Sequence, residues 1–152
     1  MFLRRGHAYV YFSYGNHFML NVSAELAGVG GGVLIRALEP LEGIDLMQRN
    51  RKNTELRDLA RGPGRLAAAL RIDRSLDGLD LFSRGPLWLA EMVHAKSSGR
   101  ACSQEIVVAS TVRIGITRAV DKLFRFYERG SPFVSGPKRL LESSPAATKP
   151  KK

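Results

Sequence analysis

The residues with the most chemistry to offer lie close together in Ala8-Tyr9-Val10-Tyr11-Phe12-Ser13-Tyr14-Gly15-Asn16-His17-Phe18-Met19-Leu20-Asn21-Val22-Ser23. Tyr11 and Tyr14 supply flat rings, and Asn21 supplies an amide that both donates and accepts. To act together they need an element that folds the chain back on itself. An aromatic, β-branched run breaks at Gly15-Asn16, where positive φ is tolerated, and then resumes, which predicts a β-hairpin with its turn after Tyr14. Tyr9 and Tyr11 then share one face of the first strand, with Val10 and Phe12 on the other, while Met19 and Asn21 share a face of the second. A two- or three-residue loop brings Tyr11 opposite Leu20 or Asn21, so that ring and amide line one small cavity. Tyr14, at the tip, is poorly placed to be core and reads as an exposed aromatic wedge. The three together suit a nucleobase. Aromatic-rich hairpins are more often plain sheet, so the weight has to come from the rest of the chain.

A second group is cationic. Arg36 stands in the middle of the apolar run Val33-Leu34-Ile35-Arg36-Ala37-Leu38, which predicts a short strand ending before Pro40. An unpaired buried charge costs several kcal/mol, so Arg36 either snorkels from an edge strand to water or forms a fixed cation at the floor of a polar site. Residues 42–52 read as a helix with Ile44 and Met47 inward, carrying Arg49, Arg51 and Lys52. Residues 53–60 read as a polar, mobile loop. Gly62-Pro63-Gly64 then starts a helix that the Ala-rich run to Leu70 favours. Arg65 and Arg74 near its start are either phosphate contacts or part of an ordinary solvated basic helix.

Composition narrows the classes. In 152 residues, 24 Lys+Arg against 14 Asp+Glu leave a formal charge of +10, which favours a polyanionic partner, nucleic acid before an anionic membrane surface. Hydrophobic residues at 44% rule out a wholly disordered chain, and no apolar run is long enough to cross a bilayer. Met1-Phe2-Leu3-Arg4-Arg5-Gly6 has no apolar segment of secretory type, so a cytoplasmic or nuclear, non-secreted protein is expected. A single cysteine, Cys102, excludes an internal disulfide framework and a cysteine-based zinc site. The glycines of residues 27–32 lack both the phosphate-loop and the dinucleotide spacing and read as a connection.

The remaining elements predict one α+β domain over residues 1–138: a mixed, mostly antiparallel β core resembling an open barrel, with flanking helices. Residues 105–116 form the best candidate for a central strand, and residues 123–127 for another, while Trp88 between two leucines reads as core. Residues 139–152, rich in Ser, Ala, Pro and Lys, read as a disordered basic tail.

Taken in order, five blocks resemble the alkyladenine (3-methyladenine, methylpurine) DNA glycosylases. They are Tyr9 to Gly15 with Leu20-Asn21-Val22, Leu34-Ile35-Arg36-Ala37-Leu38-Glu39-Pro40-Leu41-Glu42-Gly43, Gly62-Pro63-Gly64-Arg65-Leu66, Arg113-Ile114-Gly115-Ile116, and Arg125-Phe126-Tyr127 with Arg129-Gly130-Ser131-Pro132. The resemblance spans roughly residues 1–136 and implies that family's fold. It further implies a monomeric base-excision repair enzyme that flips damaged purines, such as 3-methyladenine and hypoxanthine, out of duplex DNA and hydrolyses their N-glycosidic bond. By position, Tyr14 resembles the minor-groove wedge, Tyr11 the ring stacked on the flipped base, and Asn21 the group that crowds a guanine amino group. Arg36 and the carbonyl of Ile114 resemble the holders of the hydrolytic water. Arg51, Arg65 and Arg74 are the expected phosphate contacts. No metal or organic cofactor and no membrane partner is implied.

The resemblance has one departure. The family's general base is a glutamate in a Glu-Thr-Glu-Ala-Tyr-like motif ahead of the hairpin, and this chain contains no such motif. None of Glu25, Glu39, Glu42, Glu55, Glu91, Glu105, Glu128 and Glu142 stands at the position of that base. The expectation is a start assigned too late, with a truncated, impaired product as the alternative. Set against the glycosylase reading are a non-catalytic DNA-binding remnant and a basic RNA- or membrane-surface protein unrelated to repair.

Overall fold

A computed structural model describes residues 1–13, 15–52, 54–91 and 106–137 of the chain, which divides into two compact units, residues 1–92 and 93–152. The first is built on the hairpin of β1 (Ala8–Ser13) and β2 (His17–Ser23), extended by β3 (Gly32–Leu34) into an antiparallel sheet of order β1-β2-β3. The alternation of apolar residues explains which face turns inward. Ala8, Val10 and Leu20 are buried in the core of this unit with Leu59, Leu66 and Leu81, and Val22 packs against them.

Two short helices close that core. α1 (Ile44–Asn50) begins after Gly43, whose φ of 65° is open to glycine at little cost, and turns Met47 inward. α2 (Pro63–Ala69) starts as expected, with Pro63 in its first turn after Gly62, and buries Leu66, Ala67 and Ala69. Asn50 Nδ2 donates to the carbonyl of Ala69 at 2.9 Å, tying the ends of the two helices together. At the start of α2, a Cβ built on Gly64 would lie 2.8 Å from His17 Cγ, so only glycine allows the helix this close to the first residue of β2.

The outer edge of β1 is met by residues 77–81. Asp77 Oδ1 accepts from the Val10 amide at 2.8 Å, Ala8 donates to the Leu79 carbonyl, and Leu81 donates to the Gly6 carbonyl. Such pairing satisfies backbone groups that an edge strand otherwise leaves open.

The second unit contains an antiparallel ribbon of β4 (Val108–Thr111) and β5 (Arg125–Glu128). Arg125, buried on β5, donates to the Ser135 carbonyl and lies 5.0 Å from the Tyr127 ring centroid. The expected α+β class holds: antiparallel sheets with short flanking helices, and no closed barrel among the described residues.

Several local expectations need correction. β3 ends at Leu34, so Arg36 lies beyond the strand rather than in its middle. Among the described residues β4 pairs only with β5, so it is not central to a sheet there. Residues 54–60 are not a loop throughout: a 3-10 turn over Leu56–Asp58 delivers Leu59 and Ala60 into the core, Leu59 at 0% exposure. Trp88 is 48% exposed instead of core, with the Arg84 guanidinium 5.8 Å from its ring centroid. Cys102, Glu105 and the tail over 139–152 lie outside the described residues. Among the described residues no helix is long and apolar enough to cross a membrane, and no group of three His, Cys, Asp or Glu could hold a metal ion.

Candidate nucleic-acid interface

The hairpin register decides what the sheet can present. Ser13 pairs with His17, which leaves a three-residue loop. Counting back from it, Tyr11 pairs with Met19 and Tyr9 with Asn21. Tyr11 therefore does not stand opposite Leu20 or Asn21. It lies diagonal to Asn21 on the same face, within reach of a ring and a short side chain across an antiparallel pair. The Tyr9 and Tyr11 rings are 5.4 Å apart between centroids and tilted by 31°. Asn21 is 8% exposed, and its Nδ2 donates to the Tyr9 carbonyl at 3.2 Å, which fixes the amide's direction. The face thus offers two aromatic rings, a thioether and a fixed amide. Tyr14 lies outside the described residues.

Arg36 reaches the sheet by a different device. Ile35 N–H donates to the Leu20 carbonyl at 3.0 Å and Leu38 N–H to the Ala60 carbonyl at 3.3 Å, so the chain is tied on both sides of Arg36. Leu34 pairs with Asn21, and Arg36 follows two residues beyond the end of that strand. Its Nε is buried with no hydrogen-bond partner among the described residues. A guanidinium N–H of this kind is positioned to hold an acceptor such as a water or an anion.

The cationic residues are divided. Arg51 caps the end of α1, where its carbonyl accepts from Thr54 Oγ1 at 2.6 Å. Burial lowers the Arg51 pKa, the Arg65 charge lowers it further, and Asp58 opposes both. Arg65, on α2, donates from Nη1 to Asp58 Oδ1 at 2.9 Å, and Arg61 Nη1 stands 3.8 Å from the same oxygen. Arg51 and Arg65 thus belong to one cluster around Asp58. Arg74 stands apart and exposed, on a 3-10 turn over Arg74–Leu76 that Asp73 caps by accepting from the Ser75 amide at 2.8 Å.

In the second unit, Ile114 follows β4 in a turn with Gly115 at φ 73° and is half-buried. A Cβ on Gly136 would stand 2.9 Å from Ile114 Cδ1 and 3.1 Å from an Arg125 guanidinium nitrogen, so the backbone of Gly136 seats both side chains. The glutamates among the described residues, Glu25, Glu39, Glu42, Glu55, Glu91 and Glu128, are all exposed.

Three contributors escaped the reading of the sequence: Asp58, Arg61 and Gly136. Asp58 and Arg61 carried no signal beyond a charged composition. Gly136 sits just past the Arg129-Gly130-Ser131-Pro132 block, and its contact with Ile114 has no signature along the chain.

Comparison with known proteins gives this face its context. A family model described as methylpurine-DNA glycosylase matches residues 1–132. A protein of Mesorhizobium japonicum is 61% identical over 142 residues, covering 93% of this chain and 64% of the relative. A second, from Paraburkholderia phytofirmans, is 48% identical and covers 93% and 62%, and a third, from Koribacter versatilis, is 47% identical and covers 90% and 63%. All three bear the name "Putative 3-methyladenine DNA glycosylase". This chain spans a little under two thirds of the length of these curated relatives. On the family match and these identities, the chain belongs to the methylpurine-DNA glycosylase family.

Proposed function

We propose that this chain serves base-excision repair by accepting a damaged purine, 3-methyladenine or hypoxanthine, flipped out of duplex DNA, so that water can cleave its N-glycosidic bond. The single observation that carries the reading is the shared sheet face, where the Tyr11 ring lies diagonal to the oriented Asn21 amide. An aromatic ring beside an oriented amide suits the flat, hydrogen-bonding edge of a base. Alkylated purines carry positive charge, so the Tyr11 ring, backed by Tyr9, favours them by cation–π attraction over neutral purines. Asn21 crowds the position of a guanine amino group and disfavours that base.

Arg36 holds the water, which attacks the sugar carbon as the purine departs and leaves an abasic site. The buried Nε of Arg36, with no hydrogen-bond partner among the described residues, supports this role. The carboxylate that takes the water's proton is assigned to the segment that the family places ahead of the hairpin. Tyr14 fills the gap left by the flipped nucleotide, and Arg51, Arg65 and Arg74 grip backbone phosphates without reading sequence. Duplex DNA is the partner, bound by a monomer with no cofactor.

Single-turnover excision of 3-methyladenine and hypoxanthine from duplex DNA tests this reading, with Arg36→Ala alongside. Release of either base, lost in Arg36→Ala while DNA binding survives, is the expected result. Preferential binding of lesion duplex without release would instead favour the DNA-binding remnant. Equal affinity for lesion-containing and intact duplex would overturn the assignment of Tyr11 and Asn21.

A further inference from the structure

The cluster around Asp58 does more than gather positive charge. Three arginines, Arg51, Arg61 and Arg65, sense one carboxylate, and its nearest contact is the 2.9 Å hydrogen bond from Arg65 Nη1. A carboxylate presents to a guanidinium the same paired oxygens as a backbone phosphate. We infer that Asp58 is a built-in competitor for DNA phosphate, occupying Arg65 and standing beside Arg61 in the free protein, so that a phosphate must displace it.

Exposure makes the exchange feasible. The Asp58 side chain is 39% exposed and that of Arg65 50%, so their ion pair adds little stability and leaves Arg65 reachable from solvent. Its persistence in the free protein is explained by neighbours: α2 fixes Arg65, the 3-10 turn fixes Asp58, and the Ala37–Arg61 bridge fixes the backbone of Arg61. The cluster keeps an excess of positive charge and still attracts a polyanion. The carboxylate lowers that attraction, holding affinity for intact duplex below what the arginines alone would give. Loose affinity for intact DNA suits a protein that must leave undamaged sites. This inference rests on the DNA reading above and adds to it both the competitor and Arg61 as a phosphate ligand.

The test is equilibrium binding of the 152-residue chain to an undamaged fluorescent duplex over a salt series from about 0.05 to about 0.3 M. Asp58→Asn keeps the shape and the acceptor oxygen but removes the charge. It should tighten binding about three- to tenfold near 0.1 M salt with little change in the log–log salt slope, since the phosphate that displaces Asp58 in the parent is the one Arg65 holds in the variant. Glu25→Gln makes the same charge change at an exposed site away from the cluster and should produce a markedly smaller gain. Adding Arg65→Gln to Asp58→Asn should abolish the gain. Equal gains from Glu25→Gln and Asp58→Asn, or unchanged or weaker binding by a folded Asp58→Asn variant, would overturn the inference while leaving the DNA reading standing. A parent chain that binds no duplex would overturn the DNA reading and the inference with it.

Discussion

Tyr11 and Tyr9 form a tilted pair on one face, and their contributions should separate on substitution. Stacking of one base on an aromatic ring is worth about 1–3 kcal/mol. Tyr11→Leu should therefore weaken binding of lesion duplex about tenfold while binding of intact duplex changes little, as read by competition titration. Tyr9→Phe, which keeps the ring, should be close to neutral in the same assay. A further prediction concerns Asp73, whose carboxyl is held below its ordinary 3.8 first by the Ser75 hydroxyl and then by the Ser75 amide. A carboxylate with a depressed native pKa contributes stability above its unfolded pKa and loses it as the pH falls through the native value. The cap that carries Arg74 should accordingly loosen only below about pH 4. Ser75→Ala should move the Asp73 titration upward in NMR, and an unmoved titration would show that the hydroxyl is not the cause.

At the scale of elements, the hairpin was legible because alternation and a Gly-Asn break are local signals. Its register was not. Ser13 stands against His17, and the partner of Tyr11 becomes Met19. Leu59 and Ala60 were hidden for a different reason: they lie in a charged stretch without periodicity, and only the 3-10 turn before them aims them at the core. Trp88 escaped because flanking leucines imply burial, whereas its ring lies beneath an arginine at the surface. The local start of α2 could be read from Gly-Pro-Gly, but its approach to His17 could not, since contacts between distant residues leave no mark in either segment. The corrected role of Leu59 has a cost that can be measured. Leu59→Ala should destabilise the chain by about 2–5 kcal/mol, the range for emptying a fully buried leucine site. Urea unfolding would check this, and a loss below about 1 kcal/mol would return the segment to an ordinary surface loop.

For the molecule as a whole, the formal charge of +10 sets the expected form of binding. If Arg51, Arg61, Arg65 and Arg74 each neutralise a phosphate, the log–log salt slope for duplex DNA should be about −3.6, and Arg74→Ala should make it shallower by about 0.9. A slope unaffected by Arg74→Ala would remove that residue from the interface. The proposed excision belongs to the same scale, because that proposal assigns its proton acceptor outside the five blocks. A chain extended by the segment with the family's glutamate should excise about 10²–10⁴ times faster than the 152 residues alone, the usual contribution of a general base. Equal single-turnover rates would mean that a group within this chain performs that step.

The close seat of His17 on Gly64 has a mechanical consequence. His17 closes the hairpin loop and Arg65 follows Gly64 directly, so the tip of the sheet and the arginine proposed to grip phosphate bear on a single contact. A pull on Arg65 is felt at the loop with little slack between them. On the proposed reading, gripping the backbone and probing the helix would then be two ends of one lever.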